Sequence, residues 1–172
     1  GYTMVYGIAK MLNFAHGDVI MIGGYVTYIA MSSLGLPAWI AVLLSVIVCT
    51  VLGILIEKVA YRPLREAASS LAVLITAIGV SYLLQNVALL MFGSAPKSFT
   101  SVVSVPALTF AGGRLTISGE TIVTIASCIV VMTALTLFIN KTKAGQAMLA
   151  VSEDKGAAKL MGINVDATIA LT

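Results

Sequence analysis

Charge is scarce in this sequence. Only 10% of its 172 residues are Asp, Glu, Lys or Arg and 59% are hydrophobic, whereas a soluble domain carries about 25% charged residues. An ordinary water-exposed surface is therefore excluded, and a mean hydropathy of +1.05 points to the bilayer. Cysteine is nearly absent. Cys49 and Cys128 both sit inside long apolar runs, which excludes a disulfide framework or a thiolate metal cluster and leaves them as packing residues. Ten Lys and Arg against seven Asp and Glu give a net charge of +3, but the basic residues form no continuous stripe, so no nucleic-acid partner is expected. Motifs for chemistry are missing too. The sequence has no Gly-x-x-x-x-Gly-Lys followed by Ser or Thr, no Gly-x-Ser-x-Gly and no His-Glu-x-x-His. Neither P-loop nucleotide binding nor a hydrolytic centre has support, and no metal site is expected.

What the sequence has is long charge-free runs. Val19 to Ser33, Pro37 to Ile56, Leu71 to Phe92 and Thr121 to Ile139 all lack Asp, Glu, Lys and Arg. About 20 helical residues cross a hydrocarbon core of about 30 Å, and the last three runs reach or approach that length. The first is short, and Gly1 to Leu12, apolar apart from Lys10, is expected to complete its span. The chain opens without Met and closes at Leu171-Thr172 within a rising apolar pattern. A piece of a longer protein, truncated at both ends, is expected, with no cleavable leader because no basic segment precedes the first apolar stretch. The expected fold is all-α, a polytopic transmembrane helical bundle forming one domain over residues 1–172.

Trp39 and Tyr61 are 22 residues apart, about 33 Å of helix, a spacing that suits aromatic anchors at opposite interfaces. Pro37 fits the first turn of that helix, and Arg62-Pro63 is expected to end it. The stretch Glu57 to Glu66 carries Lys58, Arg62 and Arg65, while Asn140 to Asn164 carries Lys141, Lys143, Lys155 and Lys159. Two spans separate these stretches, so both can face the cytoplasm under the positive-inside rule. Ser33 to Leu36, and Gly93 to Glu120 with only Lys97 and Arg114 as basic residues, then lie outside. In that outer stretch the alternation Ser101-Val102-Val103-Ser104-Val105, the Gly112-Gly113 turn and Leu115-Thr116-Ile117 suggest a short hairpin or an interfacial segment.

Polar groups inside this apolar background mark the candidate sites. Met11-Leu12-Asn13-Phe14-Ala15-His16-Gly17-Asp18 sets three polar or ionisable side chains between two apolar stretches. A discontinuous helix here would free backbone N–H groups for Asn13 or Asp18 to cap, or for a substrate carboxylate to meet. The alternative is a cytoplasmic turn between antiparallel helices, with Asp18 as N-cap and His16 in water. A proton relay through His16 and Asp18 lacks an onward carrier in the sequence. Gln85 and Asn86 bring amides to the middle of the third run, suited to bonding neighbouring helices or a polar solute. Asn13, His16, Asp18, Gln85 and Asn86 are the candidates for a substrate path. After the fourth run comes a surface helix: Ser152 as cap, Glu153 and Asp154 at its start, Lys159 near its end and Gly162 at C′. Ala157, Leu160 and Met161 share a face that fits a groove on another protein, or else the lipid surface.

Four segments together resemble a known family. Gly1-Tyr2-Thr3-Met4-Val5-Tyr6-Gly7, Leu12-Asn13-Phe14-Ala15-His16-Gly17-Asp18, Val59-Ala60-Tyr61-Arg62-Pro63-Leu64-Arg65 and Leu160-Met161-Gly162-Ile163-Asn164 are similar to branched-chain amino acid ABC transporter permeases of the LivH type. The resemblance runs the length of the chain. It implies a multi-pass permease of the bacterial inner membrane, pairing with a second homologous permease, two cytoplasmic ATPases and an extracytoplasmic solute-binding protein that delivers Leu, Ile or Val. ATP and Mg would then sit on the partner subunits, with no cofactor and no catalysis on this chain. Residues 140–164 correspond to the coupling loop that meets the ATPase, with Ser152, Glu153, Asp154, Ala157, Ala158, Leu160, Met161 and Gly162 as its contact residues. Where related permeases often carry Glu-Ala-Ala, this sequence has Lys155-Gly156-Ala157. Urea and short-amide permeases share the Asn-x-Ala-His-Gly pattern and are the nearest alternative; an ion-coupled carrier using His16 and Asp18 is a more distant one.

Overall fold

A computed structural model describes residues 2–10, 12–67, 69–98, 101–113 and 115–172. Gly1, Met11 and Arg114, each part of a sequence-based expectation, lie outside the described residues. The chain divides into two compact units, Gly1–Ser98 with Ala147–Thr172, and Phe99–Gln146. Among the described residues, the regular structure is helical apart from one small hairpin.

In the first unit, α1 (Tyr2–Ala9) and α2 (His16–Ser32) are separate helices. Lys10 takes a left-handed backbone, φ 57°, and the two do not merge into the single span expected of residues 1–33. α2 has 17 residues, about 26 Å of helix, slightly short of the hydrocarbon core. α3 (Ala38–Ile56) follows Pro37, whose extended backbone opens the helix. Trp39 is exposed near that end, as an interfacial anchor would be, but Tyr61 is buried and belongs to the interior instead.

The helix does not stop at Arg62-Pro63. It continues through a π-helical turn, Glu57–Tyr61, into α4 (Arg62–Ala67). Proline in a regular α-helix clashes with the carbonyl four residues back, here that of Val59, and widening the preceding turn relieves the clash. Arg62 N–H accordingly reaches back to the Glu57 carbonyl. The stretch expected to be a basic loop is thus helical, and the apolar helix Ala38–Arg65 runs 28 residues. α5 (Ser70–Phe92) completes the membrane part of this unit.

α2 packs on both α3 and α5. Gly23 makes the α2–α3 contact close: a Cβ there would lie 2.9 Å from Cys49 Sγ and 3.0 Å from Ser45 Oγ. Ser45 Oγ donates to the Gly23 carbonyl at 2.9 Å and Cys49 Sγ to the Val19 carbonyl at 3.4 Å. Small residues therefore do on these helices what they do in membrane bundles generally, allowing backbones near enough for polar contacts. Tyr25 and Phe92 stack, with ring centroids 4.1 Å apart.

In the second unit, β1 (Leu108–Phe110) and β2 (Leu115–Ile117) pair antiparallel, Leu108 opposite Ile117. Gly112 and Gly113 turn the chain with φ of 65° and 91°, a backbone that side chains with a Cβ rarely adopt. The alternating segment 101–105 forms no strand; the first strand lies further on. α6 (Gly119–Lys141) is the third helix long and apolar enough to cross a membrane among the described residues, and Cys128 is exposed on it. Three short helices follow, α7 (Lys143–Glu153), α8 (Lys155–Leu160) and α9 (Val165–Leu171), and from Ala147 onward they belong to the first unit.

Candidate functional site

The polar segment between α1 and α2 is a true helix break. As one continuous helix, Tyr2 and His16 would be separated by about 21 Å, yet their ring centroids are 6.2 Å apart. The chain therefore turns at this point. Asn13 organises the turn: its Oδ1 accepts from Ala15 N–H at 3.1 Å and from the Tyr61 hydroxyl at 2.7 Å. Asp18 is not the cap. The N-cap position is Ala15, without a side-chain bond, and the buried Asp18 carboxylate points to α5, where Ser81 Oγ donates to one oxygen and Gln85 Nε2 to the other at 3.0 Å. A carboxylate at membrane depth costs about 2.5–3.5 kcal/mol on insertion scales, and two donors from a neighbouring helix offset part of that. Asn86 goes elsewhere: exposed, it donates to the Tyr82 carbonyl of its own helix at 2.7 Å.

Asn13 and His16 instead face a cavity of about 500 Å³, whose other polar lining includes Glu57 and Tyr61 and whose walls include Val19, Val46 and Val73. Glu57 is its least expected member. The Glu57 side chain is only 10% exposed; Oε1 meets Arg65 Nη2 at 2.6 Å, while Oε2 and the buried Arg65 Nη1 have no hydrogen-bond partner among the described residues. Arg65, 8% exposed, also reaches Asp166 of α9 at 3.0 Å. Arg62, more than half exposed, lies 3.8 Å from the same Asp166 carboxylate. This clasp joins the end of the long helix to a residue a hundred positions away, so local sequence reasoning had no access to it. Glu57 itself left a signal, as an acidic residue placed directly after an apolar run of membrane length.

Within the first unit, residues of the short helices from Ala147 onward pack against α1. Ala158 and Val151 are buried with Ala9 and Ile169 in one cluster, flanked by Val5 and Val165. Lys155 Nζ donates to the Ala9 carbonyl at 2.8 Å. Burial, with the charges of Arg65 and Lys10 adding to it, holds the Lys155 ammonium below the usual lysine range. The helix start differs from expectation by two residues. Asp154, not Ser152, caps α8, accepting from Gly156 N–H at 2.8 Å and Ala157 N–H at 3.1 Å. Ser152 lies within α7 and donates to the Leu149 carbonyl, and the exposed Glu153 ends that helix. Gly162, φ 83°, takes the C′ position, with Ile163 N–H bonding back to the Ala158 carbonyl. Of the expected contact residues, Ala158 faces inward, whereas Ala157 is exposed and Leu160 and Met161 are 90% and 83% exposed. Among the described residues no group of three or more His, Cys, Asp or Glu side chains gathers to hold a metal ion.

The whole chain, residues 1–172, matches the family described as branched-chain amino acid transport system / permease component. It belongs to that permease family. Among its relatives, the high-affinity branched-chain amino acid transport system permease protein BraD of Pseudomonas aeruginosa is 41% identical over 185 residues, covering 100% of this chain and 59% of the relative. LivH of Salmonella typhimurium, with the same printed description, is 41% identical over 189 residues at the same coverage. A probable branched-chain amino acid transport permease protein of Methanocaldococcus jannaschii is 26% identical over 174 residues, covering 98% of this chain and 54% of the relative. The chain thus spans under two thirds of the length of the curated permeases it matches. No solved structure gives a significant match. Family membership makes the permease a polytopic membrane protein, in keeping with its three long apolar helices.

Proposed function

We propose that this chain is the core of a membrane-spanning permease subunit in an ATP-driven importer of branched-chain amino acids. The observation that carries the reading is the 41% identity to permeases named for high-affinity branched-chain amino acid transport, sustained over the entire chain. The chain gives geometry to the transport step and leaves ATP hydrolysis to two cytoplasmic ATPases. A second homologous permease completes the path, and an extracytoplasmic binding protein delivers Leu, Ile or Val, in a bacterial inner membrane.

The structure supports distinct roles for the polar groups. Asn13 and His16 form part of the polar lining of the path, while Asp18 and Gln85 hold α2 against α5. Asn86 stays a candidate for the path from its exposed position. On the cytoplasmic side α8 offers Ala157, Leu160 and Met161 to an ATPase groove, an arrangement in which large apolar groups gain from being covered. Ser152, Glu153, Asp154 and Gly162 shape and cap the helices that present them, and Ala158 seats α8 on α1. Motion of α8 is then transmitted through the Lys155 contact to the break between α1 and α2.

The test is reconstitution of the full-length permease with its homologous partner, ATPases and binding protein in proteoliposomes. Labelled leucine should accumulate only with ATP inside reach of the ATPases. Uptake that ignores ATP and collapses with the proton gradient, or uptake of urea in place of leucine, refutes the assignment.

A further inference from the structure

We propose that the β1–β2 hairpin is a membrane-surface anchor, laying one apolar face into the head-group layer of the bilayer beside the start of α6. The face follows from the register. Side chains directly opposite one another in an antiparallel pair project to the same side of the sheet, and successive ones along a strand alternate. Leu108 lies opposite Ile117 and Phe110 opposite Leu115, so these four share one side. Thr109 and Thr116, also opposite each other, take the other side. All four apolar side chains are exposed. An isolated two-stranded hairpin is marginal in water, and covering this face stabilises it.

The way α6 holds the hairpin sets its height in the membrane. Residues 121–140, between Glu120 and Lys141, carry no Asp, Glu, Lys or Arg and make about 30 Å of helix, the thickness of the hydrocarbon core. Gly119 and Glu120 therefore stand at head-group level. Ser118 alone separates Ile117 of β2 from Gly119, and its hydroxyl accepts from Thr121 N–H, fixing the junction. The chain leading into β1 is pinned at the same height, because the Val105 backbone occupies the space that a Cβ on the buried Gly119 would need. The approach to β1 and the exit from β2 thus both meet the first turn of α6.

A bilayer suits this face better than a protein that comes and goes. Between Lys97 and Glu120 the sequence has a single charged residue, Arg114, whereas a transient protein interface is about as polar as the rest of a surface, roughly 56–58% non-polar. Among the described residues of α6 only Gly119 is buried, so the lipid contact of the helix runs on without interruption to the hairpin. Strand edges left unpaired need water, which keeps the hairpin among the head groups and out of the hydrocarbon.

The experiment uses the full-length permease with its partner subunits in nanodiscs of phosphatidylethanolamine and phosphatidylglycerol, with the native cysteines replaced by alanine. Nitroxide labels are placed singly at Leu108→Cys, Phe110→Cys, Leu115→Cys and Ile117→Cys, and for comparison at Thr109→Cys and Thr116→Cys. Collision with oxygen, which concentrates in lipid, relative to a water-soluble nickel chelate should be several times greater for the first four than for the threonine pair. A second measurement covers any labelled variant that does not assemble. Phe110→Trp, a conservative exchange at an exposed site, should add fluorescence that lipids brominated near the head group quench. Six labels that all favour the chelate place the hairpin in water and overturn the proposal, as does an unquenched signal from Phe110→Trp. Shielding of the four apolar-side labels from both reagents overturns it in favour of cover by protein, whether another part of this chain or a second subunit. Shielding that appears only when the binding protein is added overturns it in favour of a docking site for that protein.

Discussion

Gly23 offers the sharpest test of how the helices are held together. Replacing it with Ala puts a Cβ 2.9 Å from Cys49 Sγ and 3.0 Å from Ser45 Oγ, below ordinary van der Waals contact. Both side chains must move, and both are anchoring α3 to α2 carbonyls. Overpacking of this kind costs about 1–3 kcal/mol, and an interhelical hydrogen bond in a membrane bundle is worth about 0.6 kcal/mol on average. Against these stands the gain of about 0.8–1 kcal/mol in helix propensity on going from Gly to Ala. The expected net loss is about 1–2 kcal/mol. Gly24, the next residue, is exposed and meets nothing within 4 Å, so Gly24→Ala should be neutral or stabilising by up to about 1 kcal/mol. Thermal unfolding of the full-length permease in detergent compares the two. Restoring room with Ser45→Ala and Cys49→Ala should recover most of the overpacking in the Gly23→Ala background. Equal melting of Gly23→Ala and Gly24→Ala would refute the close-approach argument.

Three further outcomes are expected. Asp154→Ala removes the acceptor for two N–H groups at the start of α8 and should cost about 0.5–2 kcal/mol, seen as a lower melting temperature and weaker ATPase co-purification; Asp154→Asn should retain most of both. Ala157→Glu and Leu160→Glu alter exposed positions and should leave membrane insertion and melting intact while uncoupling ATP hydrolysis from uptake; normal uptake in both would remove α8 from the docking surface. Asp166→Leu removes one of the two carboxylates on Arg65, the partly exposed one, while Glu57 remains, and should destabilise by about 1–2 kcal/mol; a melting temperature at the wild-type value would show that Glu57 alone satisfies the guanidinium.

The apolar helices were legible because a charge-free run of membrane length has few other physical meanings. Gly112-Gly113 marked the hairpin and Gly162 the end of α8 for a similarly local reason, the left-handed backbone that each position adopts. What was not legible depended on distance along the chain. The Tyr61 aromatic ring suggested an interface, yet its hydroxyl is drawn inward by Asn13 across 48 positions. Asp18 was expected to cap its own helix, but Ser81 and Gln85 on another helix compete for the carboxylate. Pro63 misled in a different way, because the widened turn that accommodates it has no composition of its own. In the short helices, Ser152 and Asp154 are both good caps, and only the chain path between Glu153 and Lys155 selects the second.

That widened turn also acts as a phase shifter. Each α-helical residue advances the azimuth by about 100°, so eight steps from Glu57 to Arg65 would leave the two side chains about 80° apart around the axis. One surplus residue absorbed into the π turn takes back a single step and brings them to within about 20°, one above the other. The clasp therefore depends on a count of residues as much as on their identity: drawing residues 57–61 into a regular α-helix with all eight steps kept would swing Arg65 about 80° away from Glu57, whereas excising one position from 58–60 at the same time would leave seven steps and restore the alignment.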